Sequence, residues 1–134
     1  DTADDLLRDG AHRLVEALHA HDQTVRLLFV DVLEFEGRNI ATLAAAAVPQ
    51  LLGFFARVTA LAHDGRSLKP IRPDVMARAF LGLFMSYFMI GRFYRSLEST
   101  FPALAVDDGI VDHFLEIYLH GVMANPQAGA GSVE

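Results

Sequence analysis

AFLGLFMSYFMIG, residues 79–91, is a run of 13 residues without a charge, bracketed by Arg78 and Arg92. Three readings compete for such a run: a membrane span, a buried core helix, or a helix that buries two faces at once. A span needs about 20 apolar residues. The run falls short of that and no second span is read elsewhere, so no membrane is expected. A core helix needs an apolar stripe only a little over 100° wide. Here the apolar residues go nearly all the way round. One flank carries Val75, Ala79, Gly82, Ser86, Ile90 and Phe93, with small residues at its centre. The other carries Met76, Phe80, Leu83, Phe84, Tyr87 and Tyr94, and is bulky and aromatic. Asp74, Arg78 and Arg92 share one narrow edge. A helix built this way has two neighbours to bury against.

The last apolar segment repeats the pattern. Ile110, Phe114, Ile117 and Gly121 fall together, and Val111, Leu115, Tyr118, Leu119 and Val122 widen the arc to roughly half the circumference, more than one contact requires. Two such helices in succession predict an antiparallel pair. Two pairs from two chains would form a four-helix interface. The expected contact residues are Ala79, Gly82, Ser86, Ile90, Phe93, Phe114, Tyr118 and Gly121. The bland alternative is that both helices are central in one chain.

Working outward, the 3.6-residue period predicts three more helices and no strand. The first runs from about residue 4 to 20, with Leu7, Ala11, Leu14, Val15 and Leu18 on one stripe. Thr2 can cap it, and Asp4 and Asp5 suit its positive end. The second follows Asp22 as N-cap and reaches about residue 36, lined by Val25, Leu28, Phe29, Val32 and Leu33. The third starts near residue 38 or 39 and contains Pro49. Its stripe stays in phase across the proline from Ile40 through Leu51 and Phe55 to Ala62, so one kinked helix is read rather than two. A break with Pro49 opening a new helix stays open. His63, Asp64 and Gly65 stop it. Pro73 opens the fourth helix, to about residue 95. Asp107 and Asp108 start the last, to about residue 123. Residues 124–134 read as a frayed tail.

The totals bound the function. The chain has 134 residues, enough for one domain spanning residues 1–123. Hydrophobic residues make up 52% and charged residues 21%, with mean hydropathy +0.29. That surplus of apolar surface calls for a partner or a pocket. A net charge of −6 disfavours a grip on phosphate. There is no cysteine, hence no disulfide and no thiolate chemistry. DTADDLLRDG has no signal-peptide character, and a cytoplasmic location is expected.

This layout resembles the C-terminal domain of the TetR (tetracycline-repressor) family of transcriptional regulators, over residues 6–123. LVEALHAHDQTVRLLFVDVLEFEGR resembles the family's helix-turn-helix pair after its linker helix. AVPQLLGFFARVTALAHDG is similar to its long proline-containing helix. RPDVMARAFLGLF resembles the start of its penultimate helix. DDGIVDHFLEIYLHGV resembles the last one, with its Leu-x-x-Gly-like ending at Leu119. The resemblance implies a homodimer formed through the last two helices and a small effector held among the others. It also implies an N-terminal DNA-binding domain, which this sequence lacks. DNA contact would then belong to a parent protein.

For a hydrophobic or aromatic effector the expected lining is Phe29, Leu33, Phe54, Phe55, Val58, Phe80, Phe84 and Tyr87. Each could equally be plain core. His12, Glu16 and His19 share a face, as metal ligands can, but that face is opposite the apolar stripe and points to water. His113 and His120 lie on a polar edge, and Arg78 and Arg92 are read as solvated edges or interface ion pairs. No metal or cofactor is expected. No nucleophile–base pair or phosphate loop is found, so no enzyme is expected.

Overall fold

The computed structural model describes residues 2–62, 68–104 and 109–124. It is all helical, with five α-helices in the order α1 (Ala3–Ala20), α2 (Asp22–Phe35), α3 (Ala41–Ala62), α4 (Pro73–Leu97) and α5 (Ile110–Val122). A short 3-10 turn, Pro102–Leu104, precedes α5. There is no strand among the described residues. Leu68 and Met123 form an isolated antiparallel bridge, where the Lys69 amide donates to the Val122 carbonyl at 2.8 Å.

Local chemistry explains most boundaries. Thr2 and Asp5 form a reciprocal capping box at the start of α1, satisfying two amides that the helix leaves free. The turn from α2 to α3 needs left-handed backbone, supplied by Glu36 (φ 56) and Gly37 (φ 76). Asp31 holds that turn. It is buried, and its carboxylate accepts from the Asn39 side chain and from the Asn39 and Ile40 amides at 3.2 and 3.1 Å. A carboxylate at the N-terminus of α3 also meets the positive end of its dipole. Pro49 lies inside α3, so the one-helix reading holds.

Two boundary expectations are corrected. His21, not Asp22, is the N-cap of α2, and it makes no side-chain capping bond. Asp22 is the first residue of the helix, and its carboxylate pairs with Arg92 of α4. α3 begins at Ala41, after the Asp31-held turn has used residues 36–40. The stop at residues 63–65, the start of the last helix at Asp107 and Asp108, and the tail beyond residue 124 lie outside the described residues.

α4 is the central element, packed against α1, α3 and α5. The core gathers Leu7, Ala11 and Val15 of α1, Phe55 and Val58 of α3, Met76, Phe80 and Phe84 of α4, and Val111, Leu115 and Leu119 of α5. Phe80 is its hub. Its ring meets those of Phe54, Phe55, Phe84 and Tyr118 at centroid distances of 6.1, 5.6, 5.0 and 5.3 Å. A smaller cluster of Leu18, Val25 and Phe88 attaches α2 to α1 and α4.

The expected stripe of α3 is used only in part. Phe55, Val58 and Ala62 are buried, whereas residues 41–50 are exposed throughout. This is the segment where the sequence reading missed the longest signal. Residues 39–56 form an uncharged run of 18, longer than the one in α4. By length and composition both α3 and α4 are apolar enough to cross a membrane, which corrects the expectation that neither run is long enough. α4 spends much of that length on the chain's own core, through Met76, Ala77, Phe80, Phe84 and Phe88.

Candidate functional site

The surface with the clearest chemical character lies on α4 and α5. Val75, Ala79, Gly82, Ser86, Ile90 and Phe93 follow one another along α4 and are all exposed. The core-facing residues Phe80, Phe84 and Phe88 occupy the opposite side of the same helix. Phe93 is 61% exposed, and Ile117 on α5 is 64% exposed. Water gains nothing from such side chains, and a contiguous set of them marks a contact surface.

A groove of about 350 Å³ runs between the two helices. Ser86, Tyr87, Ile90, Gly91 and Tyr94 form one wall, and Ile110, His113, Phe114 and Ile117 the other. Tyr87 and Phe114 meet edge to face at 5.8 Å across it. Its volume is in the range of about 300–1,000 Å³ typical of small-molecule sites. It is mostly apolar, with the polar groups of Ser86, Tyr87, Tyr94 and His113 on its walls.

Of the residues expected at the dimer contact, Ala79, Gly82, Ser86, Ile90, Phe93 and Gly121 are exposed and Phe114 is half-buried. A Cβ placed on Gly82 or Gly121 would meet no atom within 4 Å, so the chain's own packing does not require glycine there. Tyr118 is the correction. It is buried, 5% exposed, with its hydroxyl donating to the Met76 carbonyl, because it belongs to the inner side of α5. Burial holds its phenol well above the ordinary value of 10.0.

The residues expected around an effector are not brought around one cavity. Phe55, Val58, Phe80 and Phe84 pack against one another with exposures of 1, 1, 3 and 0%. Phe54 is half-buried and lies over Gly10, forming one wall of a more polar groove of about 410 Å³ with Asp9, Arg13 and Arg57. Phe29 is half-buried against the cluster around Val25. Leu33 is 73% exposed, as its neighbours from residue 32 to 36 at the C-terminal end of α2 are exposed too. Tyr87 alone of the set faces the α4–α5 groove. Tyr94, Ile110, His113 and Ile117 complete that groove and were not singled out as a site. The signal was available in the wide apolar arc of the last helix.

Among the charged candidates His12 and Arg92 pair between helices, and Arg8 with Glu116 adds a pair the sequence reading does not single out. Arg8 of α1 pairs with Glu116 of α5, and His12 Nε2 approaches Asp112 Oδ1 at 3.1 Å. Arg8 holds the Glu116 carboxyl below its ordinary value by a hydrogen bond and by charge. Arg92 pairs with Asp22 and lies over the Phe88 ring at 5.7 Å. His19 meets the edge of Phe88 at 6.1 Å rather than joining His12. Among the described residues no group of three or more His, Cys, Asp or Glu is placed to hold a metal.

No family model, curated protein or solved structure matches the chain.

Proposed function

We propose that this chain is a helical homodimerisation and effector-sensing domain of a TetR-like transcriptional regulator. The observation that carries the reading is the exposed apolar face of α4 and α5, built on the two helices that the resemblance assigns to a dimer. The five large side chains Met89, Ile90, Phe93, Tyr94 and Ile117 present on the order of 400–500 Å² of surface, more than half of the roughly 800 Å² per partner in a standard interface. The effector would be small and hydrophobic or aromatic. It would act by preferring one of two arrangements of the helices, and its coupling to DNA would equal its differential affinity for them. Operator contact would fall to a helix-turn-helix domain that these residues do not contain. The reading includes no catalytic step.

A second reading is favoured by the closed packing around Phe80: a dimerisation module that takes no effector. Native mass spectrometry of the purified chain tests both. The expected result is twice the chain mass, and a bound effector adds a discrete increment. A dimer that never carries or takes up an apolar compound supports the second reading. A strictly monomeric chain removes both.

A further inference from the structure

The exposed stripe of α4 is self-complementary when read backwards. We propose that a second copy of this chain packs α4 against α4 in antiparallel register, with the two-fold axis passing beside Ser86. The inference rests on the dimer reading above and specifies its geometry.

In an antiparallel pair related by a two-fold axis, a residue n positions before the centre faces the residue n positions after it on the other copy. With Ser86 at the centre, Gly82 faces Ile90 of the second copy. Ala79 then faces Phe93, and Val75 faces Leu97. Small residues meet large ones at both inner steps, which is how facing helices interdigitate without voids. Each of the four inner residues is exposed in the single chain, so each is available. The centre also falls within one residue of the middle of Pro73–Leu97, so the two helices overlap along their whole length.

Three features of the structure select a second copy rather than another occupant. The open space at Gly82 lacks any partner within the chain, and Ile90 and Phe93, the side chains that would fill such space, are 43% and 61% exposed on the same stripe. The apolar area given above is more than half of what one partner contributes to a standard interface, and the small residues between the large ones add to it. The α4–α5 groove is also continuous with the stripe through Ser86 and Ile90, so a helix laid along the stripe closes one side of it.

The absence of cysteine makes the register directly measurable. Under mild oxidation, Ser86→Cys is expected to convert most of the protein into a reducible covalent dimer, because the two Cα atoms beside the axis fall within the roughly 4.4–6.8 Å that a disulfide spans. Gly82→Cys alone is expected to stay uncrosslinked, since its two copies would lie about 12 Å apart along the helix at 1.5 Å per residue. Co-expression of Gly82→Cys with Ile90→Cys, on differently tagged chains, is expected to give the mixed covalent dimer. If the unmodified chain is dimeric by mass while Ser86→Cys stays uncrosslinked, the register is wrong and the dimer reading survives. If the unmodified chain is monomeric at all concentrations, the dimer reading itself has failed.

Discussion

The Tyr118 hydroxyl donates to the Met76 carbonyl at 2.9 Å, joining α5 to the first turn of α4 inside the core. Tyr118→Phe keeps the ring against Phe80 and removes that bond. The expected cost is about 0.5–1.5 kcal/mol, read from urea unfolding at neutral pH. Burial of the same phenol sets an alkaline limit. The phenol's pKa is raised on folding, so its contribution is complete below the unfolded value of 10.0 and is lost as the pH rises beyond it. Tyr118→Phe is expected to flatten the stability profile above pH 10.0.

Glu116 titrates the other way. Its folded pKa lies below the ordinary 4.5, first through the Arg8 hydrogen bond and then through the Arg8 charge. The Arg8–Glu116 strut therefore contributes above the unfolded value and fades as the pH falls through the folded one. Glu116→Gln is expected to reduce the slope of stability against pH below 4.5 and to remove, at neutral pH, the same small contribution that a solvent-exposed pair makes, with no difference left at pH values where the carboxyl is protonated in both the folded and the unfolded state. An unchanged acid slope would remove the strut from the account.

Asp31 is expected to control how firmly α3 begins. Asp31→Ala leaves the Asn39 and Ile40 amides without their acceptor and costs about 1–2 kcal/mol, as loss of a good helix cap does. Hydrogen exchange localises the effect. Faster exchange at Asn39 and Ile40, with α5 unchanged, is the expected pattern.

Gly10 lets α1 and α3 approach. A Cβ there would stand 2.5 Å from the end of the Phe54 ring. Gly10→Ala is expected to destabilise by about 1 kcal/mol, since overpacking outweighs the better helix propensity of alanine. In a Phe54→Ala background the sign reverses, because the clash is gone and the propensity remains. A stabilising Gly10→Ala with Phe54 in place would show that the ring simply moves away, and destabilisation in both backgrounds would remove Phe54 as the cause.

Phe84→Ala separates a core role from a ligand role. The side chain has 0% exposure and sits beside Phe80. The substitution is expected to cost about 3–5 kcal/mol in unfolding experiments with no effector present. A much smaller loss would point to space around it that the packing does not show.

The helix order was legible in the sequence because apolar residues at three and four spacing leave little choice of period. α3 could be followed through Pro49 because Leu51, Phe55, Val58 and Ala62 keep the phase of Ile40 and Leu43. The two faces of α4 were legible too, since Ala79, Gly82 and Ser86 fall at the centre of one flank and Met76, Phe80 and Phe84 on the other. Periodicity does not say what covers a face. Tyr118 lies on the broad apolar arc of α5, and nothing in the spacing told its inner edge from its outer one. Leu33 is in phase with Val25 and Phe29, but phase cannot show that residues 32–36 are left exposed at the end of α2. The aromatic residues read as a pocket are a packed core for the same reason: composition is identical whether the rings surround a void or each other. The α4–α5 groove needed both helices placed before Tyr94 and His113 could be seen on its walls.

The exposed stripe of α4 has a consequence for temperature. Contact between uncharged apolar surfaces responds weakly to sodium chloride, because there is little charge to screen. Its driving force near room temperature is entropic and fades on cooling. A dimer held by Ile90, Phe93 and Ile117 should therefore tighten between the cold room and the bench and dissociate again in the cold. Its assembly would follow the thermometer more closely than the ionic strength, and a measurement made on ice would see the weakest form of it.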